Sequence, residues 1–218
     1  MSKASAKSTT LLSAKPLKRP SQARAKFTVQ AIFDAFVRIW QRDGWAGITT
    51  RAVALETGIA VGTLYDYFPS KEALLSGYVR HCMEVLLQAI AQQAIEPAGL
   101  PWQQRIHQLV RLTCGVQAPE LPWFHPDMLM LEARIAEPKH HRRVHEELST
   151  AWLQVFAACN DLPQRPADDT VKALHLAVWG ARRYGMLLAL SEQETARWAQ
   201  QMEHLCRAAV QAPPGNGS

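Results

Sequence analysis

The chain has 218 residues, enough for a buried core, and its 48 % apolar content excludes wholesale disorder. No apolar run reaches the ~18–20 residues of a membrane span. Charge is uneven: residues 1–80 hold 12 basic and 5 acidic side chains, a net of +7, while the remaining 138 carry −2. Phosphate is the simplest partner for such a basic end, because each paired Lys or Arg releases condensed counterions. Cys82, Cys114, Cys159 and Cys206 are far apart and form no CxxC, the pattern of reduced, mostly buried thiols in a cytoplasmic protein. Leu11-Leu12 is too short an apolar core for a signal peptide.

Residues 1–22 read as a disordered basic tail. A strong helix follows Pro20-Ser21, with Val29, Ile32, Phe33, Phe36, Val37 and Trp40 on one face and Gly44 as its stop. Thr49 and Thr50 can cap a short second helix through Glu56, and Gly58 turns the chain. A third short helix is expected over 61–68. Ser70 then caps a long fourth helix with an apolar stripe of Leu75, Tyr78, Val79, Cys82, Leu86 and Ile90. Pro97-Ala98-Gly99 breaks it. A fifth helix fits 102–113, and the proline-rich stretch 115–126 is a loop. Asp127 is expected to cap a helix to about Ala136, and Pro138 starts another that ends near Asn160. Asp168 or Asp169 opens a helix to Leu190, and Ser191 caps the last, with a stripe of Trp198, Met202, Leu205, Cys206 and Ala209. The tail 212–218 reads as disordered. The expected fold is all-α, about nine helices without a sheet: a helix-turn-helix domain over 23–70 and a second helical domain over 71–211.

The segment from Gly47 to Lys71 carries the most information. Two short helices joined at Gly58 are what a helix-turn-helix requires. Ile59, Leu64 and Phe68 point inward, and at ~100° per residue Gly62, Thr63, Tyr65 and Asp66 then point outward. That small, hydroxylated and aromatic face can approach base edges and thymine methyl groups. It offers no Arg, Asn or Gln for bidentate base contacts, so phosphates and DNA shape should carry much of the affinity.

Several marks over residues 24–80 resemble the TetR family. They are the helix around Phe33–Trp40, Gly44-Trp45, the run from Thr49 to Ala54, Gly58-Ile59-Ala60, the run from Gly62 to Phe68, and Ser70-Lys71-Glu72-Ala73-Leu74, in unbroken spacing. The resemblance implies that Val61, Gly62, Thr63 and Tyr65 face bases, and that Thr49, Thr50, Arg51, Tyr67 and Lys71 hold phosphates. For Lys71 the residues agree, because it opens a helix whose backbone N–H groups attract an anion. The tail is longer than the family needs; it either follows the minor groove or is a solvated extension.

The resemblance also implies that the second domain dimerises and encloses a small-molecule pocket. Residues 171–190 are apolar on nearly every face, and Ala177, Gly180, Ala181 and Gly185 would permit close helix approach. The last two helices of each subunit are therefore expected to form a four-helix homodimer interface. Two recognition helices about one DNA turn apart would then read a palindromic operator. Trp102, Cys114, Trp123, Phe124, Met128, Trp152, Phe156 and Trp179 are pocket candidates, each with ordinary core as the plainer reading. The loop with Trp123-Phe124-His125 is read as a lid. His140, His141 and His145 invite a metal reading, but Arg142 and Arg143 sit among them, so a solvated face is expected, with no metal and no cofactor. The expected function is a ligand-released regulator, a repressor rather than an enzyme, since GxSxG, a Gly-rich phosphate loop and HExxH are all missing from the sequence. The alternatives are a helical adaptor or a helical enzyme without DNA binding.

Overall fold

The computed structural model describes residues 23–211, and the two tail expectations, 1–22 and 212–218, lie outside them. The described residues form nine α-helices and one π-helical turn, with no strand among them. The chain divides into two compact units after Val79. The sequence places that division before the fourth helix; compactness places it inside the helix, whose first residues pack with the first unit.

The first unit begins with α1 (Ala23–Gly47), α2 (Thr50–Thr57) and α3 (Val61–Tyr67). Helix α1 runs past Gly44 only in a broken form. Gly44 has φ 64° and ψ −166°, a region open essentially to glycine alone, so the last three residues start a new direction. Thr49 caps α2, its side chain accepting the Ala52 N–H at 3.0 Å. Gly58, at φ 76°, ends it. The Ile59 N–H then reaches back to the Ala54 carbonyl at 3.1 Å, which closes the helix end in Schellman fashion.

Next comes α4 (Lys71–Ile90), capped as expected by Ser70, whose Oγ accepts the Ala73 N–H at 3.1 Å. An aromatic cluster locks its start to α1. Tyr78 lies 5.6 Å from Phe33 and 5.1 Å from Phe36, and Phe33 lies 5.6 Å from Phe68. Such tilted ring pairs add about 0.5–1.5 kcal/mol each beyond their buried area. Gly77 is part of this cluster: a Cβ there would lie 2.6 Å from Phe68 Cε1.

In the second unit α4 continues into the π-helical turn Ala91–Ile95. Arg105, 4 % exposed, explains how that irregular end is tolerated. Its guanidinium donates to the carbonyls of Ala94 (2.7 Å), Ile95 (2.9 Å), Pro97 (2.6 Å) and Leu100 (3.0 Å). Backbone acceptors that the helix leaves open are thereby satisfied.

The remaining helices are α5 (Trp102–Cys114), α6 (Pro126–Ile135), α7 (Pro138–Ala158), α8 (Asp168–Leu187) and α9 (Glu192–Gln211). Three details differ from the sequence expectation. His125, not Asp127, caps α6, its Nδ1 accepting the Asp127 N–H at 3.2 Å. Helix α8 ends at Leu187 because Ala189 turns to φ 52°. On α9 the buried residues are Ala199, Cys206 and Val210, whereas Leu205 is 53 % exposed. Ser191 does cap α9: Ser191 Oγ accepts the Glu194 N–H, and the Glu194 carboxylate accepts the Ser191 N–H at 2.9 Å. Of the four cysteines, Cys82 is only half-buried.

Candidate functional site

Helix α3 owes its position to two side chains. Leu64 is fully buried and Phe68 is 2 % exposed, so both pull this seven-residue helix onto its unit. A helix this short has little stability of its own and is held by packing. With that face fixed, Val61, Gly62, Thr63, Tyr65 and Asp66 are all exposed. The outward face predicted from the sequence is thus the face that projects. Gly62 has no heavy atom within 4 Å of where a Cβ would stand, so nothing inside the unit requires glycine there.

The expected phosphate-holding residues surround this face. Thr49 and Arg51 are exposed, and Thr50, Tyr67 and Lys71 are half-buried. The Thr50 Oγ1 lies 3.1 Å from the Tyr65 hydroxyl, which ties the start of α2 to the projecting side of α3. Lys71 Nζ stands 4.4 Å over the Trp45 ring, a contact that orients the ammonium without neutralising it. Arg38 and Arg42, two of the cations in this basic end, are engaged elsewhere. They bracket Glu56 at 3.0 and 3.6 Å, joining α1 to α2. The hydrogen bond from Arg38 holds the Glu56 carboxyl below its ordinary range. Sequence reasoning had no sign of this pairing, because the residues are far apart in the chain.

The eight pocket candidates divide. Trp102, Cys114, Trp152 and Phe156 belong to the main buried cluster of the second unit, with Trp179 packed against it. Met128 is buried outside that cluster, Phe124 is half-buried, and Trp123 is 36 % exposed, 5.8 Å from the His125 ring. An open cleft of about 390 Å³ lies between α4 with its π turn and α7, lined by Leu87, Ala91, Ile95, Glu146, Thr150 and Gln154 among others. None of the eight candidates lines it.

Two polar features of this interior were not singled out from sequence. His175 is fully buried on α8; its Nδ1 lies 3.0 Å from Ser149 Oγ, and its ring stacks on His145 at 5.3 Å. Burial, with the neighbouring His145, pushes its pKa down to about 4, so it is neutral near pH 7. His145 therefore packs on a core residue, although its own side chain remains exposed as expected. The second feature is Arg182, half-buried on α8, whose guanidinium lies 5.3 Å from the centre of the Trp179 ring. Among the described residues no group of three or more His, Cys, Asp or Glu is arranged to hold a metal. No described helix is long and apolar enough to cross a membrane.

Comparison with known proteins agrees with the first unit's geometry. The family described as "Bacterial regulatory proteins, tetR family" matches residues 26–77. The chain is 35 % identical over 86 residues to the HTH-type transcriptional repressor KstR of Mycolicibacterium smegmatis, covering 39 % of this chain and 42 % of KstR. It thus spans less than half the length of that relative. Among solved structures, a TetR transcription regulator from Haloarcula marismortui superposes with a TM-score of 0.60 at 18 % identity, over 84 % of this chain and 98 % of the other. A SmeT–triclosan complex superposes with a TM-score of 0.56 at 15 % identity, over 88 % and 98 %. At such identities the superpositions speak for the fold.

Proposed function

Starting from the premise that the chain belongs to the TetR family of bacterial regulatory proteins, we propose that it is a ligand-responsive transcriptional repressor acting as a homodimer on a palindromic operator. The observation that carries this reading is the projecting face of α3. Leu64 and Phe68 are spent on packing, and Val61, Gly62, Thr63 and Tyr65 are left to meet a groove. Arg51, exposed and without a protein partner among the described residues, and Lys71 are the cations placed beside it. These two supply phosphate contacts, together with Thr49, Thr50 and Tyr67.

Homodimerisation is supported by the outward face of α8. Leu176 (58 % exposed), Tyr184 (63 %), Leu187 and Leu188 lie in one stripe with Ala173, Ala177 and Gly180. A stripe of large apolar side chains in water is unfavourable, and a second copy of the same face covers it with two-fold symmetry. Leu205 of α9 is a further large apolar side chain left exposed. The small-molecule part draws on the SmeT–triclosan complex, whose fold this chain shares. A ligand would favour dimers whose recognition helices no longer match the half-site spacing. A cytoplasmic location belongs to the same reading.

Selection of bound duplexes from a random pool tests it. Recovery of a palindrome with half-sites about one helical turn apart is expected. Indifference of the purified protein to all duplex DNA in low salt overturns it.

A further inference from the structure

We infer that Trp45 is a positioning residue for DNA binding: its ring holds the Lys71 ammonium in place at the start of α4, ready for a phosphate oxygen. The inference rests on the reading of the protein as a DNA-binding regulator and adds a residue that acts only through Lys71.

Trp45 stands at the outer end of an aromatic series that begins in the core. Phe36, fully buried, lies 5.5 Å from Trp40, and Trp40, 4 % exposed, lies 5.5 Å from Trp45. Trp45 itself is half-buried. The backbone sets this direction. Gly44 breaks α1 with φ 64° and ψ −166°, and the Trp45 carbonyl then accepts the Ile48 N–H at 3.2 Å. Ile48 is fully buried, so the short stretch after the break is anchored beyond Trp45 as well as before it. The indole is thus held by the core, and Lys71 Nζ lies 4.4 Å from the centre of its ring.

A lysine needs such a holder more than most residues. Its charge sits on a stem of four rotatable bonds, and freezing that stem at the moment of binding costs affinity. A carboxylate would also hold the ammonium, but it would neutralise the charge meant for phosphate. Arg38 and Arg42 are in that position, drawn to Glu56 at 3.0 and 3.6 Å. Asp43, the acid closest to Trp45 in the chain, accepts from Arg42 at 2.9 Å. Lys71 has no hydrogen bond and no ion pair among the described residues; its contact is the ring. A ring face attracts the ammonium through its quadrupole and leaves the full charge and the N–H donors for an anion.

The test is a double-mutant cycle on the full-length protein: Trp45→Leu, Lys71→Ala and the two combined. Each is titrated by fluorescence anisotropy against the duplex recovered by selection and against a random duplex, at several salt concentrations. Trp45→Leu should weaken binding to both duplexes by about two- to fivefold, the worth of an exposed cation–π contact, and should lower the salt slope by a fraction of one charge. Trp45→Phe keeps a ring and should recover most of the loss. On top of Lys71→Ala, Trp45→Leu should change neither affinity nor slope. A role in folding alone would leave the slope of the folded fraction intact and would add to Lys71→Ala instead of vanishing in it. Should Trp45→Leu fail to fold, Trp45→Met takes its place in the cycle, and NMR of the wild type gives an independent reading: the Lys71 ε-methylene protons should lie upfield of an ordinary lysine through the ring current of Trp45. Unchanged affinity and slope in Trp45→Leu, a loss that persists in Lys71→Ala, or Lys71 resonances at the ordinary lysine position overturns the inference. A wild type that ignores both duplexes sinks the regulator reading and this inference with it. A wild type that binds, with no coupling between Trp45 and Lys71, sinks the inference alone.

Discussion

The Tyr65 hydroxyl lies 3.1 Å from Thr50 Oγ1, so a residue of the projecting helix is braced by the first residue of the helix before it. The pair is exposed, and exposed hydroxyl pairs contribute little to folding, because water replaces the lost bond. On the proposed reading, the contact holds the Tyr65 ring in place before DNA arrives. Tyr65→Phe is expected to leave the melting midpoint within a degree or two while weakening binding to the selected duplex several-fold. Fluorescence anisotropy titration against that duplex checks it.

Lys71 and Thr63 should fail in different ways. Lys71 is a point charge held over Trp45, so Lys71→Ala should weaken binding to cognate and random duplexes alike and reduce the salt slope by about one. Thr63 stands on the outward face, and Thr63→Ala should instead alter sequence preference. Titrations of both variants at several salt concentrations separate the two behaviours, and matching profiles would refute the assignment of roles.

Two glycines should respond to alanine in opposite senses. At Gly77 a Cβ would meet Phe68 at 2.6 Å, inside the aromatic cluster that holds α3 down. Gly77→Ala should destabilise the protein by about 1–3 kcal/mol, as overpacking does. At Gly62 a Cβ meets nothing, and alanine favours a helix over glycine by up to about 1 kcal/mol. Gly62→Ala should therefore be neutral or stabilising in a denaturant melt, yet bind the operator more weakly because the added methyl fills the approach to the groove.

His175 sets an acid limit. Its folded pKa of about 4 lies below the ordinary value of 6.5, because burial and His145 both disfavour the charged ring. A group with a depressed folded pKa contributes stability that is fully present above its unfolded pKa. That stability is lost as pH falls from 6.5 towards 4, where the unfolded chain binds the proton first. His175→Asn should flatten the fall in melting midpoint between pH 6.5 and 4 without changing its behaviour above pH 7.

The sequence alone determined the helices and the projecting face. Apolar spacing, Thr49, Gly58 and Ser70 act within a few residues, so propensity, capping and turn chemistry are written locally; the same locality made Gly62, Thr63, Tyr65 and Lys71 legible as a set. Only the tertiary structure decided which cations remain available. Arg38 is tied to Glu56 across 18 residues, and Arg51 is left exposed without a protein partner among the described residues, although both are simply basic residues on helices in the sequence. The physical reason is that an ion's environment depends on what packing brings beside it and how much water packing removes, and neither is encoded at the ion's own position.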